Sequence, residues 1–192
     1  MTTEVSATAK GIFALQEFTP SEMQAPILAC RARDILICGG IRGAKSTCST
    51  KLLWIRKQWG VKQRFGLLGA DYRRTTSEFE MLSADAQRMG IWVEKGSTLR
   101  VDPGVILLED GTIIETLSGK DPETVAMHAY DGIIICEAAP CGVEIYRRAQ
   151  ERVSQTRGWI VMSGTLEGSL GWYPKLHLAW LSGSKEHQSF SL

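Results

Sequence analysis

The stretch that most constrains this chain runs Asp34-Ile-Leu-Ile-Cys-Gly-Gly-Ile-Arg-Gly-Ala-Lys-Ser-Thr47. A short aliphatic run predicts a strand, the glycines a bend, and Lys51-Leu-Leu-Trp-Ile55 a helix reaching about Trp59 and ending near Gly60. Strand, glycine loop and helix in that order build a phosphate cradle. Glycines let successive backbone N–H groups turn towards an anion, and the helix N-terminus adds partial positive charge. Lys45 would reach the β- and γ-phosphates of ATP, and the Ser46 hydroxyl would take a place on Mg²⁺. The pattern G-x-x-x-x-G-K-[ST] asks for glycine where Ala44 stands, a departure of one methyl group, with Gly43 beside it keeping the loop flexible. The other reading of the segment alone is a glycine-rich turn entering an ordinary helix.

A length of 192 residues suits one domain, expected over residues 18–192 after a lead-in at 1–17 whose first ten residues read as a frayed polar tail. The net charge of +1 gives no overall field that would attract nucleic acid or an anionic membrane, which leaves only a local basic patch for such a role. Five cysteines, odd in number and without a Cys-x-x-Cys pair, point to a reducing compartment and no disulfide framework. His128, His177 and His187 fit no zinc spacing with them. The first residues lack the basic start and apolar stretch of a signal peptide, and no apolar run approaches the roughly 18 residues of a membrane span.

Upstream of the loop, Glu17–Gln24 predicts a turn and a helix start, with Thr19 or Ser21 as cap. An aromatic residue and a glutamine here can form an adenine pocket, Phe18 against the base and the Gln24 amide at its edge. Otherwise Gln24 is a surface residue of a helix. Downstream, Arg64–Ala70 reads as a short buried strand. Thr75 and Glu78 have capping-box spacing, which starts a helix through Met89. Arg73 and Arg74 before that cap suit phosphate or DNA contact, or a solvated helix flank. Residues 91–117 alternate short apolar runs with turn residues, and Asp110-Gly111 signals a hairpin in a β-rich insertion or sheet edge.

The second anchor is Tyr130-Asp-Gly-Ile-Ile-Ile-Cys-Glu-Ala-Ala139. Consecutive isoleucines suit a strand buried on both faces of a parallel sheet. An acidic residue at its carboxyl end lies where α/β folds bind ligands. In a P-loop ATPase that strand ends Asp-Glu, one residue for the Mg²⁺ and one for the attacking water; here Cys136 takes the Asp position and Glu137 remains. A thiol is a poor ligand for a hard cation. A helix over 144–152 leads to a third strand, Gly158–Thr165. The hydroxyls of Ser163 and Thr165 around Gly164 can sense the γ-phosphate, or can simply form a turn. Trp172, Tyr173 and Trp180 with intervening leucines form a packed amphipathic segment.

Taken together, Phe18-Thr-Pro-x-x-x-Gln24, Gly39–Thr47, Asp131–Ala139 and Ser163-Gly-Thr-Leu-Glu-Gly168 give the chain a resemblance to the N-terminal ATPase domain of viral large terminase subunits, the DNA-packaging motors of tailed bacteriophages. The resemblance covers about residues 18–173. It implies an α/β fold of the RecA-like, ASCE type, with a mainly parallel sheet flanked by helices and a β-hairpin insertion. It also implies ATP hydrolysis with Mg²⁺ coupled to translocation of double-stranded DNA, a homo-oligomeric ring on a portal protein, a small terminase subunit as partner, no membrane, and the host cytoplasm as location. Residue by residue, Gln24 matches the adenine motif, Gly39, Gly40, Ile41, Arg42, Gly43, Ala44, Lys45, Ser46 and Thr47 the Walker A loop, Glu137 the catalytic carboxylate and Ser163–Thr165 the coupling motif. Arg42 matches a loop arginine that contacts the γ-phosphate. The upstream arginine-finger position of some terminases is empty, since Ser118–Tyr130 carries Lys120 and no arginine. Arg152 and Arg157, ahead of the third strand, are the candidates for a finger donated to a neighbouring subunit. The family's C-terminal nuclease domain is absent from these 192 residues. Two other functions stay open: a nucleotide-binding P-loop module with little intrinsic hydrolysis, favoured by Cys136, and an unrelated P-loop NTPase such as a small-molecule kinase.

Overall fold

The computed structural model describes residues 6–40, 43–120, 127–166 and 171–192. Its centre is a seven-stranded sheet in the order β3-β4-β2-β5-β6-β1-β7. The strands are β1 (Asp34–Cys38), β2 (Arg64–Gly69), β3 (Val105–Leu107), β4 (Ile113–Ser118), β5 (Gly132–Ile135), β6 (Trp159–Gly164) and β7 (His187–Ser191). All neighbours are parallel except β3, which pairs antiparallel with β4 at one edge. The helices are α1 (Ala7–Leu15), α2 (Gln24–Ala29), α3 (Lys45–Arg56), α4 (Thr76–Arg88), α5 (Val143–Ser154) and α6 (Trp172–Trp180), with a 3₁₀ turn at Tyr72–Thr75 before α4.

The strands are aliphatic on both faces because both faces are covered. Side chains alternate along a strand, so Ile35, Ile37, Leu67, Ile134 and Val161 enter one core with Leu52, Trp54, Phe79 and Leu82 of α3 and α4. Leu36, Leu68, Ile133, Ile135 and Met162 enter a second core with Tyr146 and Ala149 of α5 and Tyr173 of α6. Strand β5 has a further constraint at its first residue. A Cβ on Gly132 would lie 2.3 Å from the Trp159 indole of β6, so only glycine permits this strand contact. Among the described residues no helix is long and apolar enough to cross a membrane.

The α/β sheet and its order match the expected ASCE type: β6 separates the loop-bearing strand β1 from β5. Several local expectations need correction. Residues from Ala7 onward are not a frayed tail. Ser6 caps α1, and Ala9, Ile12 and Phe13 are buried in the same core as α3. Helix α3 stops at Arg56, short of Trp59, because Lys57 turns extended. The 110–111 hairpin forms, with Gly111 at φ 78°, and it completes the sheet edge, since β4 runs parallel to β2. The Thr75–Glu78 capping box does not form: the Thr75 hydroxyl donates to the Tyr72 carbonyl at 2.8 Å. A reciprocal box forms instead at Ser21 and Gln24, where the Ser21 N–H donates to Gln24 Oε1 at 2.9 Å and the Gln24 N–H to Ser21 Oγ at 3.3 Å.

Candidate nucleotide-binding site

Strand β1 delivers the glycine loop at the carboxyl edge of the sheet, the ligand edge of open parallel folds. The Gly43 N–H donates to the Gly40 carbonyl at 3.1 Å; Ile41 and Arg42 lie outside the described residues. Lys45 opens α3; its side chain is buried and the ammonium donates to the same Gly40 carbonyl at 2.7 Å. That bond uses one of its three donors and holds the charge over the loop. Ser46 and Thr47 stand half-buried in the first helical turn. Ala44 is left-handed, at φ 56° and ψ 21°. The position where the motif asks for glycine is therefore the one whose backbone favours glycine. Cys38, Gly39, Gly40 and Thr165 line a cleft of about 210 Å³ beside the loop.

Strand β5 ends at the same edge. Cys136 follows it and is wholly buried. Glu137 is half-exposed and also left-handed, at φ 50°. A non-glycine residue held there stores strain of about 1–3 kcal/mol. Ala138 donates its N–H to the Ser163 carbonyl at 2.7 Å, which ties the β5 turn to β6. Ser163 is buried opposite Ile37 of β1, and Gly164 opposite Cys38. Ser163 and Gly164 thus end the strand between those that lead to the glycine loop and to Glu137, and Thr165 follows them.

Glu78, read from the sequence only as a capping residue, belongs to this site. It is 2% exposed, with its carboxyl buried near Ser46 and Cys136, whose thiol donates to the Ile134 carbonyl at 3.9 Å. Burial raises its pKa, opposed by the neighbouring Ser46 hydroxyl, its own backbone N–H and the Cys136 thiol, while the Glu137 charge adds to the rise. Burial also pushes the Cys136 thiol well above its ordinary range, and the neighbouring Glu78 and Glu137 carboxyls push it further. Cys136 is therefore a protonated packing residue and not a thiolate ligand.

The remaining candidates are more scattered. The Phe18 ring packs edge-on against Phe13 at 5.0 Å, with the Lys51 ammonium 5.1 Å from its centroid. Gln24 is buried, its amide oxygen held by the Ser21 N–H. Arg152 ends α5, 3.7 Å from Glu151, and Arg157 is exposed in the left-handed turn before β6. Both are at the amino edge of the sheet, opposite the glycine loop. Arg73 and Arg74 are exposed at the carboxyl edge. Among the described residues no cluster of three or more His, Cys, Asp or Glu could hold a metal ion unaided.

No family model matches the sequence, and no curated protein matches it. Solved structures do match in fold. The large terminase ATPase domain of Thermus phage P74-26 superposes with a TM-score of 0.76 at 16% identity, covering 93% of this chain and 83% of that one. A mutant of the same domain gives 0.74 at 18% identity, covering 94% and 84%. The large terminase of another thermophilic bacteriophage, in complex with ADP, gives 0.66 at 16% identity, covering 98% of this chain and 45% of that protein. At such identities the likeness establishes the fold, and that fold is the one shared by these ATPase domains.

Proposed function

We propose that this chain is the ATP-hydrolysing motor domain of a phage large terminase, powering translocation of double-stranded DNA into a procapsid. The observation that carries the proposal is the meeting of Lys45, Ser46 and Glu137 at one sheet edge with β6 between their strands. Backbone N–H groups of Gly39–Thr47 and the α3 N-terminus hold the triphosphate, with Arg42 as a further γ-phosphate contact. Lys45 places charge against the β- and γ-phosphates. Glu137 accepts a proton from the water that attacks the γ-phosphorus, as ADP leaves with the electron pair of the broken bond. Phe18 and Gln24 face the adenine, which requires Gln24 to exchange its present partners for the base. Ser163–Thr165 pass the loss of phosphate to the rest of the sheet.

The Ser46 hydroxyl and the nearby carboxyls offer only oxygen, a donor set that suits Mg²⁺. When bound with ATP, Mg²⁺ neutralises charge on the β- and γ-phosphate oxygens. Arg152 and Arg157 are too far around the sheet to serve their own site, so a finger from either acts on a neighbour. That implies a head-to-tail ring, which fits assembly on a portal with a small terminase subunit, in the host cytoplasm. The second reading, a nucleotide-binding module with little turnover, is favoured by Cys136.

The test is steady-state ATPase activity with and without double-stranded DNA, together with binding of a fluorescent ATP analogue. ATP turnover stimulated by DNA and lost in Lys45→Ala is the expected result. Binding without turnover selects the module, and Lys45→Ala behaving as wild type removes the site altogether.

A further inference from the structure

We infer that the crevice between the carboxyl ends of β2 and β5, away from the glycine loop, grips the phosphate backbone of double-stranded DNA. The inference takes its partner from the motor reading above and gives that partner a place on this chain.

The topology makes two such crevices. Strand β1 runs on into α3 on one face of the sheet, and its neighbour β6 into α6 on the other. The glycine loop stands there. Strand β2 runs on into α4 on the first face, and its neighbour β5 into α5 on the second. Neighbouring strands whose connections part to opposite faces leave a gap at their carboxyl ends, and open α/β sheets bind ligands in such gaps. The second gap is a cavity of about 300 Å³, larger than the cleft of about 210 Å³ beside the glycine loop. Its floor holds Ala70, Gly119 and Ile145. There the Gly119 N–H donates to the Gly69 carbonyl at 2.8 Å, and a Cβ on Gly119 would lie 2.9 Å from Ile145 Cδ1.

The walls carry positive charge. Arg148 of α5 and Lys120 after β4 line the cavity. Arg74 stands over the end of β2, its Cβ 2.9 Å from the place that a Cβ on Gly69 would take, and Arg73 is exposed beside it. The carboxylates nearby are already engaged: Asp71 with Lys120 at 3.3 Å and Glu144 with Arg147 at 2.6 Å. Among the described residues Arg73, Arg74 and Arg148 have no ion pair. The exposed Lys120–Asp71 pair holds weakly, so a phosphate can take over the ammonium. On a chain with a net charge of +1 this gathering is local, and arginine forks with a lysine suit phosphate. Strands β4, β2 and β5 are adjacent, so the cations spread over about 10 Å, the axial rise of about three phosphates of one DNA strand. A row of that length fits a repeated anion better than a single one.

The crevice wall also reaches the nucleotide site. Cys141, on that wall, donates its N–H to the Ala138 carbonyl at 3.0 Å and its thiol to the Glu137 carbonyl at 3.5 Å. Its own carbonyl accepts from Trp172 Nε1 of α6 at 2.6 Å. A backbone phosphate held by Arg148 therefore bears on the turn that carries Glu137, and DNA in the crevice alters turnover through that turn.

The test uses the whole chain, the anisotropy of a fluorescein-labelled DNA duplex across a range of potassium chloride concentrations, and a fluorescent ATP analogue. Arg148→Gln and Lys120→Gln each weaken duplex binding several-fold and lower the slope of log affinity against log salt by about 1. Arg73→Gln/Arg74→Gln adds to the loss. Arg31→Gln/Lys185→Gln, exposed at the opposite edge of the sheet, changes neither quantity. All of these variants bind the analogue as the wild type does, and Arg148→Gln keeps its DNA-free ATP turnover while losing stimulation by the duplex. Lys120 is exposed, so its variant decides should Arg148→Gln not fold. Wild-type affinity and slope in the variant lacking all four crevice cations overturn the proposal, as does an equal loss in Arg31→Gln/Lys185→Gln. Polyglutamate displacing the duplex at equal charge assigns the crevice to an acidic protein surface and overturns it too. Analogue binding without duplex binding overturns this proposal alone, whereas duplex binding without analogue binding overturns the ATP reading and leaves this site standing.

Discussion

Lys51 of α3 and Asp85 of α4 form a buried ion pair at 2.7 Å, and the Trp54 indole N–H donates to the same carboxylate at 3.0 Å. Burial lowers the Lys51 pKa, while Asp85 raises it again by hydrogen bond and charge. Removing one partner of such a pair strands the other charge in the core. Asp85→Ala is therefore expected to cost about 3–5 kcal/mol, whereas Lys51→Met/Asp85→Leu costs much less. Urea unfolding of the two variants checks this. The same pair sets α4 against the glycine loop, so Asp85→Ala also weakens nucleotide binding while the repacked double variant retains it.

The general-base role proposed for Glu137 falls on a residue with a strained backbone, and two substitutions separate the two properties. Glu137→Gln keeps nucleotide binding and lowers turnover by about 10² or more, the range for a lost general base. Glu137→Gly loses turnover equally but raises stability by about 1 kcal/mol, because glycine accepts φ 50° without the Cβ penalty. Equal stability of the two proteins in thermal unfolding would contradict the strain.

Ala44 makes the parallel case inside the loop. Ala44→Gly is expected to stabilise the fold by about 1 kcal/mol, because a left-handed alanine at φ 56° is disfavoured by about that amount. Metal-free nucleotide affinity should stay the same or improve. Calorimetric melting and analogue titration measure both.

Asp34, at the start of β1, carries a pH dependence. Burial raises its pKa from the ordinary 3.8, opposed by the Tyr146 hydroxyl, His187, Arg33 and the Ile160 backbone N–H. The folded protein therefore holds this proton to higher pH than the unfolded chain does. The stability it contributes is full at low pH and is lost as pH rises through the raised folded value. Oδ1 has no partner among the described residues. Asp34→Asn should keep the Tyr146 bond, flatten the stability profile above 3.8, and gain stability at neutral pH. Urea midpoints across that range give the slope.

A finger given to a neighbour makes ATPase activity depend on assembly. The rate per subunit should rise with protein concentration. Mixing Arg157→Ala with Glu137→Ala should restore part of the lost activity, because each protein supplies what the other lacks. A trans finger is worth roughly 10³–10⁵ in rate. A flat per-subunit rate without rescue would make the site complete in cis, with Arg42 as the substitute.

The parts of the fold legible in the sequence are those where one residue pattern has one physical solution. Ile133–Ile135 can only be a strand covered on both sides, and Gly39–Ser46 between strand and helix has few other uses. Other parts depend on partners remote in sequence. Glu78 has capping-box spacing with Thr75, and only the packing of remote elements around it buries its carboxyl. Strand β7 (His-Gln-Ser-Phe-Ser) is polar, and pairing with β1 at an edge makes it a strand where local propensity does not. Helix α1 is hidden in the sequence because its short apolar stretch follows a polar start; its burial depends on α3.

Four of the five thiols, those of Cys38, Cys48, Cys136 and Cys141, are sealed from solvent, and only Cys30 is partly open. Burial pushes Cys38 up to about 11 and Cys48 to about 12, which leaves almost no thiolate at neutral pH. A thiol-reactive dye should thus label Cys30 at once and reach the others only when the protein opens. Since Cys136 is wholly buried in the core that also holds Phe79 and Leu82 of α4, its labelling rate becomes a clock for the parting of α4 from β5. Slowing of that clock by nucleotide would record the site tightening in the unmutated protein.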